Sequence, residues 1–230
     1  PVTDVPVYHP DVRVWKVTNA ASELVGLWYF DPYARPGKRS GAWMNAYRPQ
    51  GSFDAEITTI VSNNLNFIEP PAGEVPLIGW DDARTLFHEF GHAVHGLLSD
   101  VSYPSMSGTA VVRDYVELSS QVMEHWLATP EVLDRFARHY STGAPCPEEL
   151  IRKIQRAEKF NQGFATVEYL SAALVDMKLH LAGGQKIDPD AFERDTLAAI
   201  GMPREIVMRH RTPQFQHIFS SDSYSAGYYS

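Results

Sequence analysis

Thr85-Leu86-Phe87-His88-Glu89-Phe90-Gly91-His92-Ala93-Val94-His95 decides how the rest of this chain is read. It holds two histidines four residues apart with a glutamate directly after the first. On an α-helix, residues i and i+4 leave the same face one turn apart. The imidazoles of His88 and His92 are thereby expected to share one Zn²⁺ ion. Glu89 points around the helix, where it meets a water in the metal's open position rather than the metal itself. Ala83, Leu86, Phe87, Phe90, Ala93, Val94 and Leu97 recur at helical spacing, and Asp81 or Asp82 is placed to cap the helix start.

A hydrolytic zinc takes a third protein ligand and leaves one position for water. The metzincin variant of the motif demands glycine at 95 and histidine at 98; His95 and Leu98 occupy those positions. The ligand is therefore sought on a following helix. Glu117 and Glu124 are both candidates, and spacing does not separate them. His95, one turn past His92, reads either as a residue supporting the metal site or as a core or surface histidine.

Composition narrows the function classes. A chain of 230 residues carries one sizeable core or two small ones. With 44% hydrophobic and 21% charged residues it has the balance of a globular protein. A net charge of −8 without a basic stripe argues against nucleic acid as a partner. No apolar run reaches bilayer-spanning length, so no membrane partner is expected. The single cysteine, Cys146, cannot form an internal disulfide, which fits a reducing compartment and leads to the cytoplasm as the expected location. Pro1 in place of a methionine, and the abrupt end at Ser230, read as cuts within a longer protein. No oligomeric state is read from the sequence.

Working outward, residues 7 to about 68 read as β-rich. Val12, Val14 and Val17 form one extended run and Leu24 to Phe30 a second, joined by the turn-like residues 18–22 as a hairpin. Asp31-Pro32 and Arg35-Pro36-Gly37-Lys38 break the chain. The cluster Arg35, Lys38, Arg39 is expected as a solvated turn, with a bound carboxylate or phosphate as its functional alternative. Gly41 to Tyr47 resumes as a strand, and Glu56 to Val61 is the strongest β run. Thr58 to Ser62 is expected as an edge strand beside the cleft, where Thr59 would help bind extended peptide backbone; a plain core strand is the alternative.

Glu69-Pro70-Pro71-Ala72-Gly73 is a stiff connector, and beyond residue 80 the pattern is helical. A second helix is expected from about Asp114 to Ala128, and a third with Thr129 as cap and Pro130 in its first turn. A long stretch runs from Pro147 to about His180 with a kink at Gly163, ended by Gly183-Gly184. Asp188-Pro189 opens a last helix closed by Gly201. The expected class is α+β, mainly α: a small N-terminal β-sheet subdomain over residues 1–73, then a zinc-site helix bundle over residues 74–230, the two read as one structural domain.

Phe87 to Gly96, followed by Ser107-Gly108-Thr109, Arg113-Asp114 and Val116-Glu117, resembles the thimet oligopeptidase family of zinc peptidases, which takes in oligopeptidase A and the bacterial dipeptidyl carboxypeptidases. The likeness extends through Asn161-Gln162-Gly163-Phe164, His217-Ile218-Phe219 and Tyr224-Ser225-Ala226-Gly227-Tyr228-Tyr229. Upstream, Tyr8-His9-Pro10-Asp11-Val12-Arg13 and Asp31-Pro32-Tyr33 through Gly37-Lys38 share it. Nearly all of this chain is covered, as the C-terminal catalytic part of a longer family protein.

The resemblance implies a gluzincin-type site with Zn²⁺ as cofactor, Glu117 as third ligand and Glu89 as catalytic base. It further implies that His217, Tyr224 and Tyr228 line a mobile loop over the substrate, the first tyrosine donating to the transition-state oxyanion. The packing alternative for these tyrosines is a plain aromatic cluster. Gly108 and Tyr228 are expected to meet the substrate. Two departures from the family pattern stand out: Ser221-Asp222-Ser223 replaces a Gly-Gly pair before the first loop tyrosine, and a further functional tyrosine would fall after Ser230. The implied activity is hydrolysis of short peptides. Ser107-Gly108-Thr109 with Arg113-Asp114, and the Thr129-Pro130-Glu131 region, look more like a dipeptidyl carboxypeptidase than like oligopeptidase A. A zinc-bound module with little or no turnover is the alternative from another class.

Overall fold

The first hairpin pairs β1 (Arg13–Thr18) antiparallel with β2 (Leu24–Tyr33). At its turn the Asn19 side-chain oxygen accepts from the backbone N–H groups of Ala21 and Glu23, each at 3.0 Å. Next in the chain come β3 (Trp43–Arg48) and β4 (Thr59–Phe67), which pair antiparallel, while β4 runs parallel to β2. The strand order is β1-β2-β4-β3. This computed structural model of the chain describes residues 1–220 and 224–229.

The order corrects one expectation. The strand that begins at Thr59 is interior, not an edge: β2 and β3 take its backbone groups on both sides, and Thr59 is 1% exposed. No peptide strand can add there, so Thr59 cannot serve a substrate in the expected way. The run from Thr59 to Leu65 is almost wholly buried on both faces, which is what an interior strand needs. The free edge beside it belongs to β3, whose residues 45–48 are exposed.

Each face of the sheet has its own cover. On one, Val12, Val14 and Tyr29 form a core with Val2, Val5, Leu27 and Ile60. On the other, Val61 packs against Ala93 and Leu97 of α1 (Trp80–Leu97). Gly96 permits that approach, since a Cβ there would lie 3.1 Å from the Val61 side chain. The α1 cap is Gly79, whose N–H donates to the Asp82 carboxylate at 3.0 Å, so Asp82 serves the helix start from inside its first turn.

The single helix expected over 114–128 is two pieces, α2 (Arg113–Val116) and α3 (Leu118–Trp126), separated at Glu117. Then α4 (Pro130–Phe136) follows Thr129, but the Thr129 hydroxyl donates back to the Trp126 carbonyl at 2.8 Å instead of capping the new helix. The basic cluster also differs from its expected form. Arg35 grips both oxygens of Asp31 at 2.6 and 2.8 Å, and Lys38 adds a 3.0 Å bond, so the carboxylate held there is the chain's own. The Lys38 and Asp31 side chains are 4% and 2% exposed, so they do not form a solvated turn.

The chain divides into two compact units, residues 1–145 and 146–230. Within the first unit, α1 packs on the sheet. The second unit contains α5 (Glu148–Ala157), α6 (Gln162–Leu181) and α7 (Pro189–Ala199). The long helix expected from Pro147 is interrupted by a turn ending at Asn161, which adopts a left-handed φ of 53°; Gly163 lies just inside α6. Ala172, Val175, Leu197, Met208, Phe215 and Ile218 form this unit's core. The arrangement is α+β and mainly helical. No described helix is long and apolar enough to cross a membrane.

Candidate metal centre

The helical period places His88 and His92 with ring centroids 5.0 Å apart on one face of α1. What brings a third group to them is the closeness of α3. Gly91 lies so near α3 that a Cβ on it would stand 2.6 Å from both the Ser119 carbonyl oxygen and the Ser120 Cα. Glu117, at the start of α3, is thereby set over the two imidazoles. Its Oε2 lies 3.2 Å from His88 Nε2 and 3.1 Å from His92 Nε2.

These separations can be tested against a metal. Tetrahedral ligands about 2.0–2.1 Å from a zinc ion lie about 3.3 Å from one another. The three groups fit an ion of that size, and His88, His92 and Glu117 are the metal-capable cluster among the described residues. The hydrogen bonds around them agree. His88 Nδ1 is 2.6 Å from Glu124 Oε1, so a proton on Nδ1 leaves the Nε2 lone pair for a cation. Ser120 donates to Glu117 Oε2 at 2.8 Å.

Electrostatics point the same way. Burial pulls His88 toward its neutral form, but hydrogen bonds to Glu117 and Glu124 and the charge of Glu89 outweigh it, raising its pKa to about 9. Burial works against the Glu117 carboxylate too, yet the bonds from His88 and His92 hold it well below the usual carboxylate range. Glu117 therefore draws positive charge between itself and the imidazoles, a demand that a divalent cation meets. Glu89 is 6% exposed, and burial lifts its pKa while His88 and His92 pull it back.

A polar link ties this helix to the sheet. Asn63, fully buried in β4, donates to the Glu89 carbonyl at 2.6 Å and accepts from Trp28 Nε1 at 2.8 Å. Asn63 and Gly91 escaped the sequence reading. An asparagine inside an otherwise buried β run and a glycine inside a helix were the available signals. Glu124, weighed as a ligand alternative, sits instead on the far nitrogen of His88. Among the described residues His95 Nδ1 is buried without a hydrogen-bond partner, and its ring meets Tyr115 at 6.4 Å. Gly108, at φ 56°, packs against Gly96 of α1 and donates to Ser99 Oγ at 2.8 Å.

The remaining site residues belong to the second unit. His217 is exposed in a short 3₁₀ turn, with its ring 6.0 Å from that of Tyr224. The Tyr228 ring packs edge-on against Phe215 at 4.7 Å, and burial raises its pKa. Ser221-Asp222-Ser223 lies outside the described residues.

Comparison with known proteins places these features in a family. The description Peptidase family M3 matches residues 1–230. The chain is 44% identical over 229 residues to the dipeptidyl carboxypeptidase of Escherichia coli (strain K12), covering 98% of this chain and 33% of that protein. It is 37% identical over 236 residues to Oligopeptidase A of the same organism, covering 99% and 34%. With the organellar oligopeptidase A of Arabidopsis thaliana the identity is 34%, covering 98% and 30%. The chain thus spans about a third of the length of these curated relatives. With a match over its whole length and a metal-capable triad to go with it, the chain belongs to peptidase family M3.

Proposed function

We propose that this chain carries the catalytic site of a gluzincin-type zinc metallopeptidase that hydrolyses short peptides. One observation carries the reading: two imidazole nitrogens and the Glu117 carboxylate converge at 3.1–3.2 Å, with the buried Glu89 carboxylate beside them. When bound, zinc supplies an acidified water, with a pKa near about 7, and a Lewis acid for the scissile carbonyl. His88, His92 and Glu117 would hold the ion. Glu89 takes the water proton and delivers it to the leaving amine. Tyr224, with His217, is read as the donor to the substrate oxyanion; this assignment rests on the family resemblance. Peptide backbone is read as lying along the free edge of β3, since main-chain pairing tolerates many side chains.

Release of C-terminal dipeptides is the preferred specificity, supported by 44% identity to the dipeptidyl carboxypeptidase against 37% to Oligopeptidase A. Internal cleavage is the second reading. The single cysteine supports a cytoplasmic location.

The test is zinc content together with hydrolysis of a quenched peptide, offered with free and with blocked C-terminus, by the protein and by Glu89→Gln. The expected result is one zinc per chain in both, turnover only in the parent, and a preference for the free C-terminus. Equal turnover by Glu89→Gln would remove Glu89 as base. Zinc without turnover in the parent would leave a metal-bound module.

A further inference from the structure

The second unit contains a buried acid that the chemistry above leaves unused. Asp176, in the C-terminal half of α6, is 1% exposed, a costly place for a carboxylate unless its oxygens are matched. Its Oδ1 accepts from the Ala226 N–H and its Oδ2 from the Tyr228 N–H, each at 3.0 Å. His180, one turn further along α6, places Nδ1 2.8 Å from Oδ1. Both backbone donors lie in the tyrosine-bearing segment near the C-terminus.

The segment is shaped around this anion. Ala226 holds a left-handed φ of 54°, a conformation alanine rarely adopts. That turn directs the N–H groups of residues 226 and 228 at one carboxylate, as backbone nests do. Gly227 N–H donates to the Tyr224 carbonyl at 3.0 Å, closing the turn onto Tyr224. Tyr169, also of α6, donates its hydroxyl to the Tyr228 carbonyl at 2.8 Å. The Tyr228 ring then seats against Phe215 and His210. Because the bonds fall on main chain, they set the path of the segment whatever its side chains are.

We propose that Asp176 is the positioning residue for Tyr224: its carboxylate clamps the 226–228 backbone to α6 and so sets where the Tyr224 hydroxyl is presented. The role rests on the reading of Tyr224 as oxyanion donor. A carboxylate serves better than a neutral acceptor because it offers both oxygens to two N–H donors at once, in a charge-assisted bond.

The test uses the zinc-loaded protein with Asp176→Ala, Asp176→Asn, Tyr224→Phe and the double variant Asp176→Ala/Tyr224→Phe. Misplacing a reacting group by about 1 Å costs about 100-fold in rate. Asp176→Ala should therefore lower kcat about 100-fold with KM and zinc content unchanged, and Asp176→Asn, which keeps one acceptor, should recover part of it. The double variant should be no slower than the slower single variant. Amide exchange at Ala226 and Tyr228 should speed up in Asp176→Ala while the α6 core stays protected. Losses that multiply in the double variant, or an Asp176→Ala protein with parental kcat, would overturn the proposal, as would unchanged exchange at both amides. Full kcat in Tyr224→Phe would instead remove the oxyanion reading, while the exchange data judged the clamp separately. Should Asp176→Ala fail to fold, Asp176→Asn alone decides: loss of kcat at constant KM supports the clamp, and a parental kcat refutes it.

Discussion

Gly91→Ala should separate the third ligand from the two histidines without touching any of them. The added Cβ would stand 2.6 Å from the Ser119 carbonyl oxygen, 2.6 Å from the Ser120 Cα and 3.0 Å from the Met123 Cβ. Carbon atoms rest at about 3.5–4.0 Å from one another, so α3 must withdraw by about 1 Å. Two of the three opposing atoms are backbone, and no rotamer change relieves them. Glu117 moves with its helix, which opens the present 3.1 and 3.2 Å separations to about 4 Å, while metal–ligand distances tolerate about 0.2 Å. Zinc affinity should fall by about 100-fold, the upper end of the cost of losing an outer hydrogen-bond partner. Overpacking should also destabilise the fold by about 1–3 kcal/mol. Zinc competition against a chelator, read beside thermal unfolding with and without metal, measures both. Gly163→Ala is the control: among the described residues nothing lies within 4 Å of a Cβ added there, so it should be neutral or gain up to about 1 kcal/mol. A Gly91→Ala protein that binds zinc as tightly as its parent would refute the account of how Glu117 is placed.

Two further outcomes follow from the first unit. Glu124→Ala removes the acceptor 2.6 Å from His88 Nδ1 and should weaken zinc by about 10- to 100-fold with the fold intact; unchanged affinity would exclude Glu124 as the group orienting that imidazole. Burial opposes the ionised form of Asp31, yet Arg35 and Lys38 hold its pKa below the ordinary 3.8. A carboxyl depressed in the folded state stabilises the fold above its unfolded pKa and loses that contribution as pH falls through the folded value. Asp31→Asn should therefore cost about 3 kcal/mol at neutral pH, by stranding two cations, and should flatten the acid limb of stability below about pH 4. Denaturant unfolding across pH checks it, and an acid limb identical to the parent's would contradict the assignment.

What was legible in the sequence was local. The helix over Trp80–Leu97 follows from apolar periodicity, and the shared face of His88 and His92 from a four-residue spacing, because helical geometry relates neighbours within one turn. The hairpin of β1 and β2 and the start of α7 at Asp188-Pro189 were equally readable, since turn and cap residues act over three or four positions. Glu117 as third ligand came from family likeness, because spacing alone left Glu124 standing.

Tertiary structure decided whatever depends on residues far apart in the chain. It brought Glu117 to the imidazole Nε2 atoms and Glu124 to the Nδ1 of His88, a choice settled by how closely Gly91 lets α3 approach. It placed β4 between β2 and β3, so that the strand expected at an edge is interior. It also matched Arg35 and Lys38 to the buried Asp31, and Asp176 to backbone fifty residues further on. Periodicity reports which side of an element faces inward; it does not report what waits there, because that partner is chosen by packing between segments whose separation along the chain carries no geometric information.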